Sequence, residues 1–466
     1  MGATNNISKS FLINRSEIEG RIDPHQFHIE RREAIDKIKR NNEILKLKHV
    51  VKNVKTTTTN ICETDIYIGL ENIESNTGEY VATNDKQSIS SAGVFKEGHI
   101  LFPKLRPYLN KVYLAEFDGL CSTEFHIFKS DKFSNEFLSI YLRSDLIVNQ
   151  TKHLMTGNTL PRLQTEDINN LPVPNIGLDE QNKIVELYKN ANKKKQQKEL
   201  QAQELLKSID TYMLNELGIT LPIKDNSIES RMFEVKFNNL VSRLEPFYYQ
   251  SYFEKLNESL NNGKYKTEKL KNLCNLLNGF AFQSSDYIDF SDVLNIRMSN
   301  IRPNNEFNPD YNARYLPNNF KEIYKHYLLS DGDIIIAMTD MAADPKILGV
   351  PTFVSNSNNR FLLLNQRVGK LYDFKNHLVN VQYLCNILGS KLIKDYYNQQ
   401  GARGVQINIS REQILSAFIP LPPLEKQNEI ADNIQKIRGN ANQLQADAKR
   451  ILDNAKQEVE KIIIGN

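Results

Sequence analysis

Residues 419–455 read IPLPPLEKQNEIADNIQKIRGNANQLQADAKRILDNA. In this stretch Ile430, Ile434, Ile437, Ala441, Leu444, Ala448, Ile451 and Ala455 follow one another at intervals alternating between four and three, and Ile462 extends the same side. That spacing is the narrow seam of a helix that pairs lengthwise with another helix. Pro422 and Pro423 cannot continue a helix backwards, so it is predicted to start near Leu424. An earlier stretch carries the same seam at its two ends, at Ile184, Tyr188 and Ala191 and then at Ala202, Leu205, Ile209 and Tyr212, with Gly218 as a stop. Each helix should run roughly 35–40 residues, or about 55–60 Å. The two stripes are best buried against each other, and the long segment between them lets the second helix return antiparallel.

What precedes each helix is also duplicated. Arg21-Ile22-Asp23-Pro24 is answered by Arg243-Leu244-Glu245-Pro246, and Leu47-Lys48 by Leu270-Lys271. Residues 67–73 read YIGLENI, and residues 296–301 read IRMSNI. Leu171-Pro172-Val173-Pro174 is answered by Ile419-Pro420-Leu421-Pro422, and Glu180-Gln181-Asn182 by Glu425-Lys426-Gln427-Asn428. The offset between copies grows in steps along the chain, as expected of several loop insertions on one scaffold. Each copy has short β-branched and aromatic runs punctuated by Gly, Asn and Pro, such as 66–70, 111–117, 123–128, 293–298 and 333–338. A helical stretch follows, near 135–154 and 377–399. The prediction is an α+β protein: two similar β-rich globular domains separated by two long antiparallel helices that form a coiled coil. The expected divisions are an N-terminal extension 1–18, a first domain 19–178, a first spacer helix 179–218, a linker 219–240, a second domain 241–423 and a second spacer helix 424–466.

Composition bounds the function. The chain has 466 residues, 40% of them hydrophobic and 25% charged, which suits a folded chain of several domains. The apolar runs at 332–338 and 361–364 are far too short to span a bilayer, and the start lacks a signal-peptide pattern, so a cytoplasmic protein is expected. The four cysteines, Cys62, Cys121, Cys274 and Cys385, are scattered, so reduced and mostly buried thiols are expected. His25 and His28 have no third ligand nearby in sequence, and no metal site is expected. A net charge of +3 says little about nucleic acid, so local clusters carry that argument.

The plan resembles the specificity subunit of type I restriction–modification systems, over about residues 20 to 466. The resemblance rests on the Arg-Ile/Leu-Asp/Glu-Pro openings and on the run from Asn278-Gly279-Phe280-Ala281-Phe282 to Tyr287. It rests also on Leu101-Phe102-Pro103-Lys104-Leu105-Arg106-Pro107 with its continuation to Val112, on Cys121-Ser122-Thr123-Glu124-Phe125, and on Ile419-Pro420-Leu421-Pro422-Pro423-Leu424-Glu425-Lys426-Gln427. The first copy departs by lacking the Asn-Gly-Phe-Ala-Phe stretch and by reading Asn175-Ile176-Gly177 where the second has only Pro423. The resemblance implies a non-catalytic subunit whose two target-recognition domains each read one half of a bipartite site on double-stranded DNA. It implies two methyltransferase subunits as partners and motor-nuclease subunits as further ones. No cofactor belongs to this chain; S-adenosylmethionine, ATP and magnesium belong to the partners.

Arg reads guanine and Asn or Gln reads adenine in the major groove, while Lys and Arg hold phosphates. Candidates for DNA contact in the first copy are therefore Lys104, Arg106 and Lys111 about Pro107, and Arg162 in the loop from Gly157. In the second they are Arg297 and Asn300, Gln366 and Arg367, and Arg403 with Gln406. Gly401 and Gly404 are expected to admit a phosphate. Because the copies differ at these places, the two half-sites should differ. Lys193, Lys194 and Lys195 are read as a solvated face or a partner surface. The candidates for helix pairing and partner contact are Ile184, Tyr188, Leu205, Ile209, Ile430, Ile434, Ile437, Leu444 and Ile451.

Two rival readings make the chain an enzyme. Asn308-Pro309-Asp310-Tyr311 approaches an adenine-methyltransferase tetrad, but Asp310 stands where proline is needed and no glycine-rich cofactor loop accompanies it. Pro309-Asp310 with Asp344-Pro345-Lys346 loosely matches a metal-dependent nuclease core, a permissive spacing. A third rival, a coiled-coil scaffold without DNA binding, leaves two loop-rich domains unexplained.

Overall fold

The computed structural model describes residues 24–465, except 63, 83–89, 158–159, 226, 238–239, 241–242, 304–305 and 357–358, and only the backbone of 230, 231 and 403. The extension 1–18 and Arg21-Ile22-Asp23 lie outside the described residues. The chain forms two compact units, one of Met1–Leu200 with Leu444–Asn466, the other of Gln201–Gln443.

In the first unit an antiparallel sheet runs in the order Lys52–Val54, Phe125–Lys129, Ile100–Pro103, Tyr113–Leu114. A second sheet runs Thr57–Thr58, Ala92–Phe95, Gly119–Cys121, Tyr67–Ile68, its last pair parallel. The second unit repeats this plan. Its antiparallel sheet is Asn275–Asn278, Val368–Tyr372, Ile334–Ala337, Pro351–Phe353. Its other sheet is Leu328–Leu329, Phe361–Leu364, Val293–Ile296, Tyr315–Leu316, with the middle pair parallel. Three strands of this second sheet correspond between units; the fourth lies on opposite edges. The side chains that fill both sheets are apolar and fully buried, Ile100 and Phe128 in one copy and Ile335 and Leu362 in the other.

The helices correspond as well. Ile29–Lys39, Asn135–Leu142, Asp145–Thr151 and Thr165–Asn169 are matched by Ser251–Asn261, Val381–Leu388, Lys391–Gln400 and Arg411–Leu415. The first of each set was not among the expected elements, although Phe253, Leu256 and Leu260 bury a helix-spaced face. A two-stranded ribbon closes each body: Ile44–Lys46 with Pro172–Pro174, and Thr267–Lys269 with Phe418–Pro420.

The duplicated glutamine is a structural pin. Gln181 accepts from the Ser134 amide at 3.0 Å and donates to the Ile176 carbonyl at 3.0 Å. Gln427 accepts from the Asn380 amide at 2.8 Å and donates to the carbonyls of Leu378 at 3.0 Å and Pro422 at 2.7 Å. Ser134 and Asn380 are themselves the caps of the helices Asn135–Leu142 and Val381–Leu388. Each glutamine therefore ties the first turn of a long helix to the start of a short one.

The long helices span Leu178–Leu217 and Leu424–Ile464. Gly218, at φ +65°, ends the first with the Ile219 amide on the Leu214 carbonyl at 2.9 Å, a left-handed stop that glycine tolerates. In the first unit Ile184, Val185 and Tyr188 share a core with Leu452, Val459 and Ile463. In the second, Ile209, Met213, Leu214 and Leu217 share a core with Ile430, Ala431 and Ile434. Early residues of one helix thus meet late residues of the other within each unit, which is antiparallel pairing. Tyr212 Oη accepts from Asn433 Nδ2 at 2.8 Å, and Lys426 pairs with Glu216 at 2.7 Å.

The predicted seam drifts at its end. Leu205, Ile437, Leu444 and Ile451 are half-buried, and the buried residues after Ala448 are Leu452, Ala455, Val459 and Ile463, not Ile451 and Ile462. There the helix packs on Ile38, Tyr141 and Leu146 of the globular body as well as on the other long helix, so its stripe widens and follows 3.6 residues per turn. Its last carbonyls accept from the amides of Asn42 at 2.7 Å (Ile463) and Asn41 at 2.8 Å (Ile464).

Lys195 also departs from expectation. It is buried and pairs with Glu79 at 3.4 Å and Glu199 at 3.3 Å, while Lys193 and Lys194 are exposed. The Lys195 side chain is therefore held by carboxylates of the globular body and of its own helix and does not present a solvated face.

Candidate nucleic-acid interface

In each unit two parallel strands end side by side, and the residues that follow them are presented together. Tyr67–Ile68 runs beside Gly119–Cys121, and Val293–Ile296 beside Phe361–Leu364. In the first unit, Lys104 Nζ donates to the Thr123 carbonyl and its amide to the Glu124 carbonyl at 2.8 Å. The Arg106 amide donates to the Pro161 carbonyl at 2.9 Å, and the Arg106 side chain is exposed. Arg162 grips Glu124 through Nε at 3.1 Å and Nη2 at 2.7 Å. That grip holds the Glu124 carboxyl below its ordinary range, so it is ionised at neutral pH. Lys104 and Arg162 are thus brought to Glu124, with the Arg106 backbone beside Arg162, and Glu124 is a residue whose type does not suggest DNA contact. Lys111 is not among them: it is half-buried and its ammonium donates to the Leu70 carbonyl at 2.7 Å.

In the second unit Gln366 and Arg367 are exposed at the strand end, and Arg367 Nη1 donates to Gln406 Oε1. Gln406 lies on the strand Gln406–Asn408, which pairs with the strand carrying Arg403. Arg297 follows its strand at the same edge but is half-buried, with Nη2 on the Asn312 carbonyl at 2.7 Å. Burial, with Arg314 adding repulsion, lowers the pKa of Arg297 below the usual guanidinium value.

Asn300 requires a correction. It is buried, its Oδ1 accepts from the Arg297 amide at 2.8 Å, and its Nδ2 reaches the carbonyls of Asn308, Pro309 and Tyr311 at 3.0–3.2 Å. Asn72 does the same in the first unit, accepting from the Gly69 amide at 2.9 Å and donating to the Val81 carbonyl at 3.1 Å. The repeated Asn-Ile is therefore a staple for the strand end and has no amide left for a base. The same staple accounts for Asn308-Pro309-Asp310-Tyr311: it is a turn wrapped on Asn300, with Asp310 paired to Arg360 at 2.6 Å and Tyr311 under Arg302 at 3.9 Å. Asp344 and Lys346 pair with each other at 3.3 Å on the surface.

Gly401 is also required for packing. A Cβ there would stand 2.4 Å from Ile407 Cγ1, whereas one on Gly404 would meet only the Gln406 carbonyl at 3.8 Å. The opening Arg243-Leu244-Glu245-Pro246 sits nearby, with Arg243 donating to the Gly401 carbonyl at 3.2 Å and pairing with Glu245 at 2.8 Å.

Three cysteines, Cys121, Cys274 and Cys385, are buried, and burial pushes each thiol up to about 12. Cys62 is exposed. His28 stacks on His153 at 3.7 Å, and Glu30 bonds both His153 and Lys152 at 2.7 Å. The three could hold a metal by position, but the Lys152 ammonium already lies on the glutamate oxygen a metal would need.

His126 supports the strand behind Glu124. It is buried, parallel to Phe128 at 5.6 Å, with Nδ1 2.9 Å from Asn53 Nδ2. Burial, aided by Lys104, pushes its pKa down to about 4 from the ordinary 6.5. Between those values the unfolded chain holds more protons, so stability should be complete above pH 6.5 and fall as pH drops towards 4, by up to about 3 kcal/mol. Denaturant melts from pH 7 to 4 should show this slope, and His126→Phe should flatten it by about one proton. An unchanged slope would remove His126 as its source.

Residues 262–451 match the family model described as the type I restriction modification DNA specificity domain. Over these residues the chain is similar to type I specificity domains. The match lies in the second copy, whose strand plan the first copy repeats. Among specificity-subunit relatives, the EcoDI subunit of Escherichia coli is 32% identical over 126 residues, 26% of this chain and 28% of its own length. The MjaVIII subunit of Methanocaldococcus jannaschii is 22% identical over 358 residues, 76% of this chain and 75% of its own length. A solved chain described under complex assembly and conformational transition of the type I R-M system covers 90% of this chain and 96% of its own length, at 18% identity and TM-score 0.49. The HsdS subunit from Thermoanaerobacter tengcongensis covers 91% of this chain and 96% of its own length, at 18% identity and TM-score 0.36. With both TM-scores below 0.5, the architecture of this chain rests on its own strand pairings.

Proposed function

We propose that this chain is the sequence-recognition subunit of a cytoplasmic type I restriction–modification assembly. It supplies recognition, and partner subunits supply the chemistry. Each unit reads one half of a bipartite site on double-stranded DNA. Lys104, Arg106 and Arg162 make the contacts in one unit, and Arg297, Gln366, Arg367, Arg403 and Gln406 in the other. Two methyltransferase subunits dock on the chain and methylate adenines, and motor-nuclease subunits join them for restriction. S-adenosylmethionine, ATP and magnesium are bound by those partners.

The observation that carries this reading is the repeat itself. Two copies of one scaffold present different polar side chains at corresponding strand ends, the arrangement needed to read two different short sequences with one kind of module. Among the described residues no helix is long and apolar enough to cross a membrane, and the loops around the strand ends carry arginine, lysine and amide groups suited to phosphates and base edges.

Co-expression with a type I adenine-methyltransferase subunit from the same genome, followed by mapping of methylated adenines, tests the reading. The expected result is one asymmetric motif of two short parts around unread base pairs, lost when this gene is deleted. A palindromic motif, methylation that does not need this chain, or methyl transfer by this chain alone would overturn it.

A further inference from the structure

The two units can be registered residue by residue from their hydrogen bonds. Phe128 pairs with Ile100 and Asn53, and Leu371 pairs with Ile334 and Leu276, so these residues correspond. Going back the same number of residues along each strand, Glu124 corresponds to Arg367. The bonds agree: the Lys104 amide donates to the Glu124 carbonyl at 2.8 Å, and the Met338 amide to the Arg367 carbonyl at 2.9 Å. The next strand follows suit, with the Leu163 amide on the Lys104 carbonyl at 2.9 Å and the Ile409 amide on the Met338 carbonyl at 3.0 Å. One backbone position, just after the parallel strand pair, thus carries a carboxylate in one unit and a guanidinium in the other.

Both side chains are accessible and both are oriented by a neighbour. Arg162 holds Glu124 by two bonds and leaves that carboxylate 29% exposed. Gln406 Oε1 accepts from one nitrogen of Arg367, whose side chain is exposed. A carboxylate has lone pairs beyond the two that Arg162 engages, and a guanidinium has donors beyond the one on Gln406. A residue of either sign suits base reading, but only the cation suits a phosphate, so the reversal of charge argues for a base-reading position.

We propose that this position determines specificity in both units: Arg367, oriented by Gln406, takes the O6 and N7 of a guanine, and Glu124, oriented by Arg162, accepts from the amino group of a cytosine. This rests on the DNA-recognition reading above and deepens it by assigning one base to each half-site. Lys104, which braces the Thr123 carbonyl, and Arg106, exposed beside it, then fall to backbone contact in the first unit.

The test uses the full chain assembled with its methyltransferase subunit and a library of duplexes randomised across the wild-type motif, with tritiated S-adenosylmethionine. Arg367→Ala should lower discrimination at one G·C pair of one half-site by about 10–100-fold and leave the other half-site unchanged. Glu124→Gln, close in shape to the native residue, should relax a single position of the other half-site. Arg367→Glu should move preference at its position from guanine to cytosine, a gain that misfolding cannot imitate. Variants that keep the wild-type motif, or lose methylation uniformly across all sequences as a phosphate contact would, overturn the assignment while the recognition reading stands. Failure of the wild-type assembly to select any bipartite motif would instead remove the reading beneath it.

Discussion

Ile434→Asp is expected to unfold the unit of residues 201–443. Ile434 is 1% exposed, in one core with Met213, Leu214 and Leu217 of the other long helix and with Leu384 and Leu388 of the body. Removing its apolar side chain costs about 2–5 kcal/mol, and an unpaired carboxylate there adds several more. The sum rivals the whole stability of an ordinary domain, about 5–15 kcal/mol. Farther along the same helix, Leu452→Asp should be similarly severe, since Leu452 is 5% exposed, while Ile451→Asp should be clearly milder because Ile451 is half-buried. Denaturant melts of the three variants check this. Equal damage from Ile451→Asp and Leu452→Asp would restore the strict alternating seam and contradict the drift after Ala448.

Gln427→Ala should lower the stability of the same unit by about 3 kcal/mol. Gln427 is fully buried, and truncation leaves the Asn380 amide and the Leu378 and Pro422 carbonyls without their partner. Each buried polar group left unpaired costs about 1–3 kcal/mol. Gln427→Glu should be at least as damaging, because a carboxylate cannot donate to two carbonyls and would be buried without a cation. Gln181→Ala should act in the same sense in the first unit, with a smaller effect of about 2 kcal/mol, since only the Ser134 amide and the Ile176 carbonyl are involved. Melting curves that place both alanine variants within about 0.5 kcal/mol of wild type would show that these glutamines are replaceable by water.

Residue type and loop position mark some candidates in the sequence, while tertiary contacts change the standing of others. Arg367, Gln406 and Arg162 are candidates in the sequence because their residue types commonly read bases and flanking glycines and strands place them in loops. Glu124 is not a candidate by residue type, because its charge opposes that of DNA, and the proposal for it comes from its register against Arg367. Asn300 is a candidate in the sequence because its type fits a base reader. What excludes it is a set of carbonyls eight to eleven residues away that close on its amide. The identity of that contact was implicit in the repeat, since Asn72 and Asn300 precede isoleucine in both copies, but a repeat is silent on whether a residue is kept for a ligand or for a turn.

The residue order alone already predicts two long pairing helices and a duplicated scaffold. A side-chain pattern of period 3.5 identifies a pairing helix, paired prolines place its start, and a duplicated order of motifs implies a duplicated scaffold. Each of these signals is local along the chain, so each can be read without coordinates. Only the tertiary structure decided which residues meet. The ionised grip of Arg162 on Glu124, the burial of Lys195 against Glu79 and the shift of the seam from Ile451 to Leu452 depend on segments far apart in sequence. Burial and hydrogen-bond satisfaction are properties of such pairings, and they determine whether a polar side chain remains free to touch DNA.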